Sequence, residues 1–72
     1  MKSIYSKTHQ KTVQKLIKAR EEAGLTQAEV ASQIGKTQPY VSQLESGQIK
    51  IDIVLLQKLA KIYKKSVTHF LD

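Results

Sequence analysis

The sequence contains no cysteine and no tryptophan, and its apolar runs are short. Without cysteine, the chain has neither a disulfide framework nor a thiolate metal site. No apolar run approaches the roughly 20 residues that a membrane span needs, and the N-terminus lacks the apolar core of a signal peptide. These absences predict a soluble, intracellular protein of the cytoplasm with no membrane partner.

Groups that could carry out catalysis are also scarce. His9 and His69 are distant in the sequence, and no carboxylate pair or His/Asp/Glu cluster has metal-ligand spacing. No glycine-rich phosphate loop is present, and neither Ser42 nor Ser46 has an evident general base nearby. We therefore expect no enzyme activity, no catalytic residues, no metal site and no cofactor.

Acidic residues are few relative to basic ones. Twelve Lys and Arg residues against six Asp and Glu residues give a formal net charge of +6, and no acidic residue precedes Glu21. A surface this basic favours polyanions such as nucleic acid or an anionic membrane, but many small domains are basic only for solubility. Net charge alone does not choose among these roles.

The chain length of 72 residues fits one domain, whose stability is marginal without good packing or a partner subunit. We expect a flexible basic arm over residues 1–7 and a folded domain over residues 8–72. The first helix is predicted from about Thr8 to Ala23. Its apolar face carries Val13, Leu16, Ile17 and Ala23. A lysine stripe nearly opposite consists of Lys7, Lys11, Lys15 and Lys18.

Two short amphipathic helices around a turn are predicted over residues 27–46. Thr26 and Glu29 have the spacing of a capping box, so the first of these helices begins near Gln27. Gly35 can adopt a positive φ and end that helix. Thr37 is the next expected cap, and Pro39 falls in the first turn of the second helix, where its missing N–H breaks no helical bond.

The outward face of this second helix is polar and uncharged. Helical spacing places Val41 and Leu44 on the inner side. A helix made only for solubility would more often carry Lys and Glu, whereas Gln and Ser match the hydrogen-bonding groups of base edges. The outer and flanking positions are Gln38, Pro39, Tyr40, Ser42, Gln43 and Ser46.

Four positions of the predicted helix-turn-helix segment carry a family resemblance. Ala31, Gly35, Val41 and Leu44, with the flanking segments GLTQAEVA and QLESGQ, make residues 16–71 resemble the phage-repressor-like (Xre/Cro) helix-turn-helix DNA-binding family. The resemblance implies an all-α fold, a compact bundle of five short helices like the lambda-repressor DNA-binding domain. It also implies that the second helix of the motif lies in the major groove of double-stranded DNA.

The resemblance and the residue types together assign DNA contacts. Glutamine can bond bidentately to adenine, and Pro39 can make only apolar contact, for instance with a thymine methyl group. The helix end at Gln27 favours a phosphate. Base contacts are expected from Thr37, Gln38, Pro39, Ser42 and Gln43. Phosphate contacts are expected from Gln27, Lys36, Tyr40, Ser46 and Lys50, although Tyr40 could instead be a packing residue.

Arg20 falls in the middle of the apolar face of the first helix, where a charge needs a partner. Glu45 lies near the core-facing side of the motif's second helix, close to Val41 and Leu44. We expect a structural ion pair between Arg20 and Glu45, as similar domains carry, rather than a catalytic pair.

After Gly47 the sequence predicts two more helices. Asp52 caps one from Ile53 to about Lys64, and Ser66 caps a short last one in which Val67, Phe70 and Leu71 fold back onto the core. The bend over residues 62–66 lacks the glycine that the family commonly has there. Surplus apolar residues offer candidates for a dimer interface at Ile49, Ile51 and Val54.

The protein is expected to be a sequence-specific regulator of transcription that binds double-stranded DNA, and the resemblance implies a repressor. It is expected to act as a homodimer on a two-fold operator and to associate with the nucleoid when bound. The alternative is a protein-interaction module, such as an antitoxin that binds a toxin partner, with DNA binding secondary. The lysine stripe is interpreted as a solvated face, part of which could attract DNA. A membrane-surface role is disfavoured, because the first helix lacks a large Trp/Phe/Leu face.

Overall fold

A computed structural model describes residues 6–71, and all regular elements in this range are helices. This confirms the expected all-α bundle of five helices. The helices are α1 (Lys7–Glu22), α2 (Gln27–Ile34), α3 (Gln38–Glu45), α4 (Ile53–Tyr63) and α5 (Thr68–Leu71).

The first helix, α1, begins one residue earlier than expected. The Ser6 side chain caps it by accepting a hydrogen bond from the His9 N–H at 3.2 Å. Lys7 is therefore helical and does not belong to the arm predicted over residues 1–7, of which residues 1–5 lie outside the described range. Ala23, predicted on the apolar face, is exposed because it is the C-cap.

The motif over α2 and α3 has the predicted helix ends. Thr26 and Glu29 form both bonds of the capping box, at 3.1 and 2.8 Å, and Gly35 adopts the left-handed conformation at φ 70°. Thr37 stands at the N-cap of α3, but its side chain makes no capping bond. An N-cap side chain usually accepts a hydrogen bond from the N–H of the second or third helical residue. The second residue here, Pro39, has no N–H, so only the third N–H is available to the Thr37 side chain.

One apolar cluster joins all five helices. Its largest fully buried side chains come from every helix: Leu16, Val30, Val41, Leu44, Leu59 and Phe70. Burying each contributes about 1.5–3 kcal/mol to folding. The Thr12 hydroxyl donates to the Phe70 carbonyl at 2.7 Å and fastens α5 to α1. Leu71, however, is 53% exposed, so the expectation that it folds back onto the core is wrong: α5 ends there with only Phe70 turned inward.

The end of α4 shows how the chain bends without a glycine. Asp52 caps the start of α4 by accepting from the Leu55 N–H at 2.8 Å, as predicted. Lys64 adopts the left-handed conformation at φ 58°, the only non-glycine residue within residues 6–71 to do so. The last helix begins at Thr68 rather than directly after Ser66, whose hydroxyl instead hydrogen-bonds the Thr68 hydroxyl at 3.0 Å.

The residues predicted for a dimer interface divide into two groups. Ile49 and Ile51 are half-buried and pack against the core, so most of their apolar surface is already used within the domain. Val54 is 56% exposed, and its neighbour Ile53 is 53% exposed. Both lie in the first turn of α4.

Candidate nucleic-acid interface

The outward face of α3 is an uncharged polar surface, here called the α3 face. Its members are Thr37, Gln38, Pro39, Ser42, Gln43 and Ser46. All are exposed except Ser42, which is half-buried. Val41 and Leu44 point the other way and are 0% and 2% exposed. The core thus fixes which side of α3 meets solvent, and the α3 face presents amide and hydroxyl groups to it.

One hydrogen bond anchors the side chain of Gln38 to the neighbouring helix α2. Its Nε2 donates to Gln27 Oε1 at 2.8 Å, and Gln27 Nε2 donates to Glu45 Oε1 at 2.9 Å. These bonds leave Gln38 with its own Oε1 acceptor and a second Nε2 hydrogen. An acceptor and a donor on one amide are what bidentate bonding to adenine requires.

Glu45 is in turn held by Arg20, in the ion pair expected from the sequence. Arg20 Nε lies 2.7 Å from Glu45 Oε2 and Nη2 lies 3.1 Å from Oε1, a bidentate geometry. Arg20 Nη1 also donates to the Leu25 carbonyl at 2.8 Å. The side chains are 15% and 8% exposed, and the hydrogen bond to Glu45 raises the pKa of Arg20 above its ordinary value.

Arg20, Glu45, Gln27 and Gln38 therefore form one continuous chain of hydrogen bonds, here called the polar chain. It runs from the interior ion pair to the α3 face and joins α1, α2 and α3. Sequence reasoning found its inner pair but missed the two links through Gln27. The available signal was that Gln27 and Gln38 each occupy the first position of consecutive helices.

Tyr63 lies beside the inner end of the polar chain. Burial, and secondarily the Glu45 carboxylate, raises the pKa of Tyr63 to about 12. The phenol is only 5% exposed and remains protonated at neutral pH. It therefore adds no charge next to the ion pair.

The N-terminus of α2 keeps only part of its capacity for an anion. The capping box occupies the N–H groups of Thr26 and Glu29, and the Thr26 backbone bond lowers the pKa of Glu29, which keeps that carboxylate ionised. The N–H groups of Gln27 and Ala28 and one Nε2 hydrogen of Gln27 remain for a phosphate.

The other predicted phosphate residues differ in how free they are. Lys36 Nζ lies 5.1 Å from the centre of the Tyr40 ring, a cation–π contact, and Tyr40 is half-buried against the core. The Ser46 hydroxyl donates to the Ser42 carbonyl at 2.9 Å and must leave that bond to donate to DNA. Lys50 is exposed in the loop after α3.

Other chemistries find little support in the described part of the chain. Among residues 6–71, no group of three or more His, Cys, Asp or Glu side chains could hold a metal ion. Nor does this range contain a helix with the length and apolar character needed to cross a membrane.

A family model described as "Helix-turn-helix" matches residues 16–70, which is most of the chain. A comparison with curated proteins gives no match. The matched range contains α2 and α3, the α3 face and the whole polar chain. Members of this family are DNA-binding regulators and are generally not enzymes. The chain belongs to the Xre/Cro-like helix-turn-helix family of DNA-binding transcription regulators.

Proposed function

We propose that this regulator reads a specific sequence of double-stranded DNA by laying α3 in the major groove. The observation that carries this proposal is the hydrogen bond from the Gln38 amide to Gln27, which in turn donates to Glu45. A side chain ordered before binding loses less conformational entropy when it meets a base. Gln38 and Gln43 are the proposed readers of base edges.

The remaining members of the α3 face have narrower roles. Pro39 offers only apolar contact, for example with a thymine methyl group. The Thr37 hydroxyl, which makes no capping bond, can donate to a base or place its methyl group against one. Ser42 is half-buried, so its role is to permit close approach and make at most one polar contact.

Phosphate contacts orient the domain without selecting sequence. We assign them to the start of α2 at Gln27, to Lys36 and Tyr40 in their cation–π arrangement, and to Lys50. Ser46 joins them only after giving up its bond to the Ser42 carbonyl.

The test is selection of bound duplexes from a randomised pool at moderate salt, followed by titration of the selected duplex against a scrambled one. Specific readout predicts a preference of at least about 10³-fold for the selected duplex. Weak binding that ignores sequence and disappears with added salt would refute readout by the α3 face.

The regulator is proposed to act as a homodimer on a two-fold operator. One α3 helix touches few base pairs, and two half-sites about one helical turn apart add their contacts. Among the residues predicted for the dimer interface, Val54 is the exposed one, and with its neighbour Ile53 it forms an exposed apolar pair. Ile49 and Ile51 are half-buried and pack on the core, so they offer less surface to a second subunit.

Substitution of Val54 tests this dimer. Sedimentation at micromolar concentration should show dimers for the parent protein and monomers for Val54→Asp, because a carboxylate would be desolvated at the interface. Leu71→Asp is the matched control, since Leu71 is 53% exposed and Val54 56%, and it should leave the dimer intact. A parent that is monomeric both with and without its selected duplex would contradict the proposal.

The same exposed pair, Ile53 and Val54, favours a second candidate role as the docking point of another protein, such as a toxin in a toxin–antitoxin pair. Exposed apolar residues in a helical turn suit either partner. The selection experiment separates the roles, because a module used only for protein binding would select no duplex sequence. In the DNA-regulator role, the protein would work in the cytoplasm and associate with the nucleoid when bound.

A further inference from the structure

A second cationic surface runs along α1. Lys7, Lys11, Lys15 and Lys18, here called the lysine stripe, lie within about 80° of arc at 100° per residue. The segment from Lys7 to Lys18 contains no Asp or Glu. Lys7, Lys11 and Lys18 are exposed and Lys15 is half-buried. The stripe is a row of positive charge about 16 Å long at 1.5 Å per residue.

The lysine stripe faces away from α3. Arg20 points at Glu45 on α3, and the four stripe lysines lie about 140–180° around α1 from Arg20. The buried residues Val13 and Leu16 of α1 also lie opposite the stripe, and the buried Ala19 lies at its edge, in the cleft with Lys15 and Lys18. A duplex against the α3 face therefore cannot reach the stripe without passing around a domain that measures 26 × 25 × 21 Å.

The groups around the stripe add little negative charge. Lys65 and His69 line the same cleft as Lys15 and Lys18. Glu22 also lines that cleft, and it pairs with Lys65 at 3.6 Å while 53% exposed. Glu21 follows Lys18 by three residues on the same side of α1. Among residues 6–71, the cleft holds Lys15, Lys18 and Lys65 against the one carboxylate of Glu22, so its net charge is positive.

The side chains between the lysines favour a phosphate backbone over a protein partner. Gln10 and Gln14 line the shallow groove with Lys7, Lys11 and Lys15. Within residues 6–71, this groove is lined by no aromatic or large apolar residue. Protein interfaces are depleted of Lys and depend on Trp, Tyr and Arg anchors. Consecutive stripe lysines rise about 4.5–6 Å along α1, a spacing at which long flexible side chains can each meet a phosphate of one strand.

We propose that the lysine stripe binds the phosphodiester backbone of a second nucleic-acid duplex, without sequence preference, on the side of the domain opposite α3. The domain can then hold two DNA segments at once, one read by the α3 face and one held by charge. Binding of a duplex by the lysine stripe goes beyond sequence readout, whereas holding two duplexes at once rests on the proposed readout by the α3 face.

The binding surface can be mapped by amide NMR spectra of the full 72-residue chain labelled with ¹⁵N, in low salt. Adding a scrambled duplex of about one helical turn should shift the amide signals of residues 7–18. With the α3 face first saturated by the selected duplex, a fluorescent scrambled duplex should still bind, and binding should weaken as salt rises.

The matched variants are Lys11→Gln with Lys18→Gln, and Lys58→Gln with Lys61→Gln. Each pair removes two charges from exposed helical positions. The first pair should weaken binding of the scrambled duplex to the saturated protein at least about tenfold and lower its log–log salt slope by about two. The second pair should leave the α1 shifts in place and change that affinity less than twofold, on the order of a pure net-charge effect.

Three results would overturn the proposal. The α1 signals could stay unmoved by duplex, the Lys58/Lys61 pair could weaken second-duplex binding as much as the Lys11/Lys18 pair, or polyglutamate could shift the α1 signals as strongly as DNA. The last result would indicate an acidic protein partner instead. Failure of sequence readout would show differently, as α3 signals that respond alike to selected and scrambled duplexes.

Discussion

The α3 face and the lysine stripe are both polar surfaces, but their side chains are held in opposite ways. On the α3 face, Gln38 is uncharged and tied through Gln27 and Glu45 to an ion pair inside the domain. On the stripe, exposed lysines carry charge on long flexible side chains. Fixed donors and acceptors can discriminate between bases, whereas mobile charges attract any phosphate backbone. In the roles proposed for the two surfaces, order more than charge separates specific from general DNA contact.

The largest expected effect comes from breaking the inner end of the polar chain. Arg20→Ala leaves the Glu45 carboxylate, 8% exposed, without its cation and should destabilise the fold by about 3 kcal/mol. Thermal or urea unfolding of the variant against the parent measures this loss.

A double substitution serves as the control for Arg20→Ala. Arg20→Met with Glu45→Leu removes both charges and should recover much of the stability, because no buried charge is left unpaired. An Arg20→Ala protein that unfolds like the parent would show that the ion pair does not hold α1 to α3.

The next largest effects distinguish discrimination between bases by the α3 face from attraction of the phosphate backbone by Lys50. Gln38→Ala should cost about 1–3 kcal/mol on the selected duplex and relax the base preference, as should Gln43→Ala. Lys50→Ala should weaken binding to all duplexes and lower the salt slope by about one unit. Titrations at several salt concentrations measure both. Equal losses on selected and scrambled DNA for Gln38→Ala would remove Gln38 from readout.

The smallest effect concerns a site that belongs to neither surface. Lys64 adopts φ 58° at the end of α4, where glycine is favoured. Lys64→Gly should therefore stabilise the fold by about 0.5–1 kcal/mol and leave base preference unchanged. Chemical unfolding provides the measurement, and a lower midpoint for the variant would mean that the Lys64 side chain contributes more than its strained backbone costs.

Local signals in the sequence predicted much of the architecture. The Thr26–Glu29 capping box, Gly35 and Asp52 mark helix ends through contacts within three residues or through backbone freedom, so the sequence carries them directly. The Arg20–Glu45 pair was predictable as well, because a charge on an apolar face requires a partner. The apolar spacing of Val41 and Leu44 fixed the inner side of α3.

What could not be predicted depends on how the helices pack. The link from Gln27 to both Gln38 and Glu45 needs the angle between α2 and α3, which no local pattern encodes. Ile49 and Ile51 looked surplus in the sequence, but the loop folds them against the core.

Sequence readout by the α3 face can be measured as the ratio of dissociation constants for scrambled and selected duplexes, determined for the parent and for Gln38→Ala at the same salt concentration. Readout by the α3 face predicts a ratio of at least about 10³ for the parent and a fall of about tenfold or more for Gln38→Ala, with binding to scrambled DNA unchanged. A parent ratio near one would contradict it, because the ordered α3 face would then contribute no sequence discrimination.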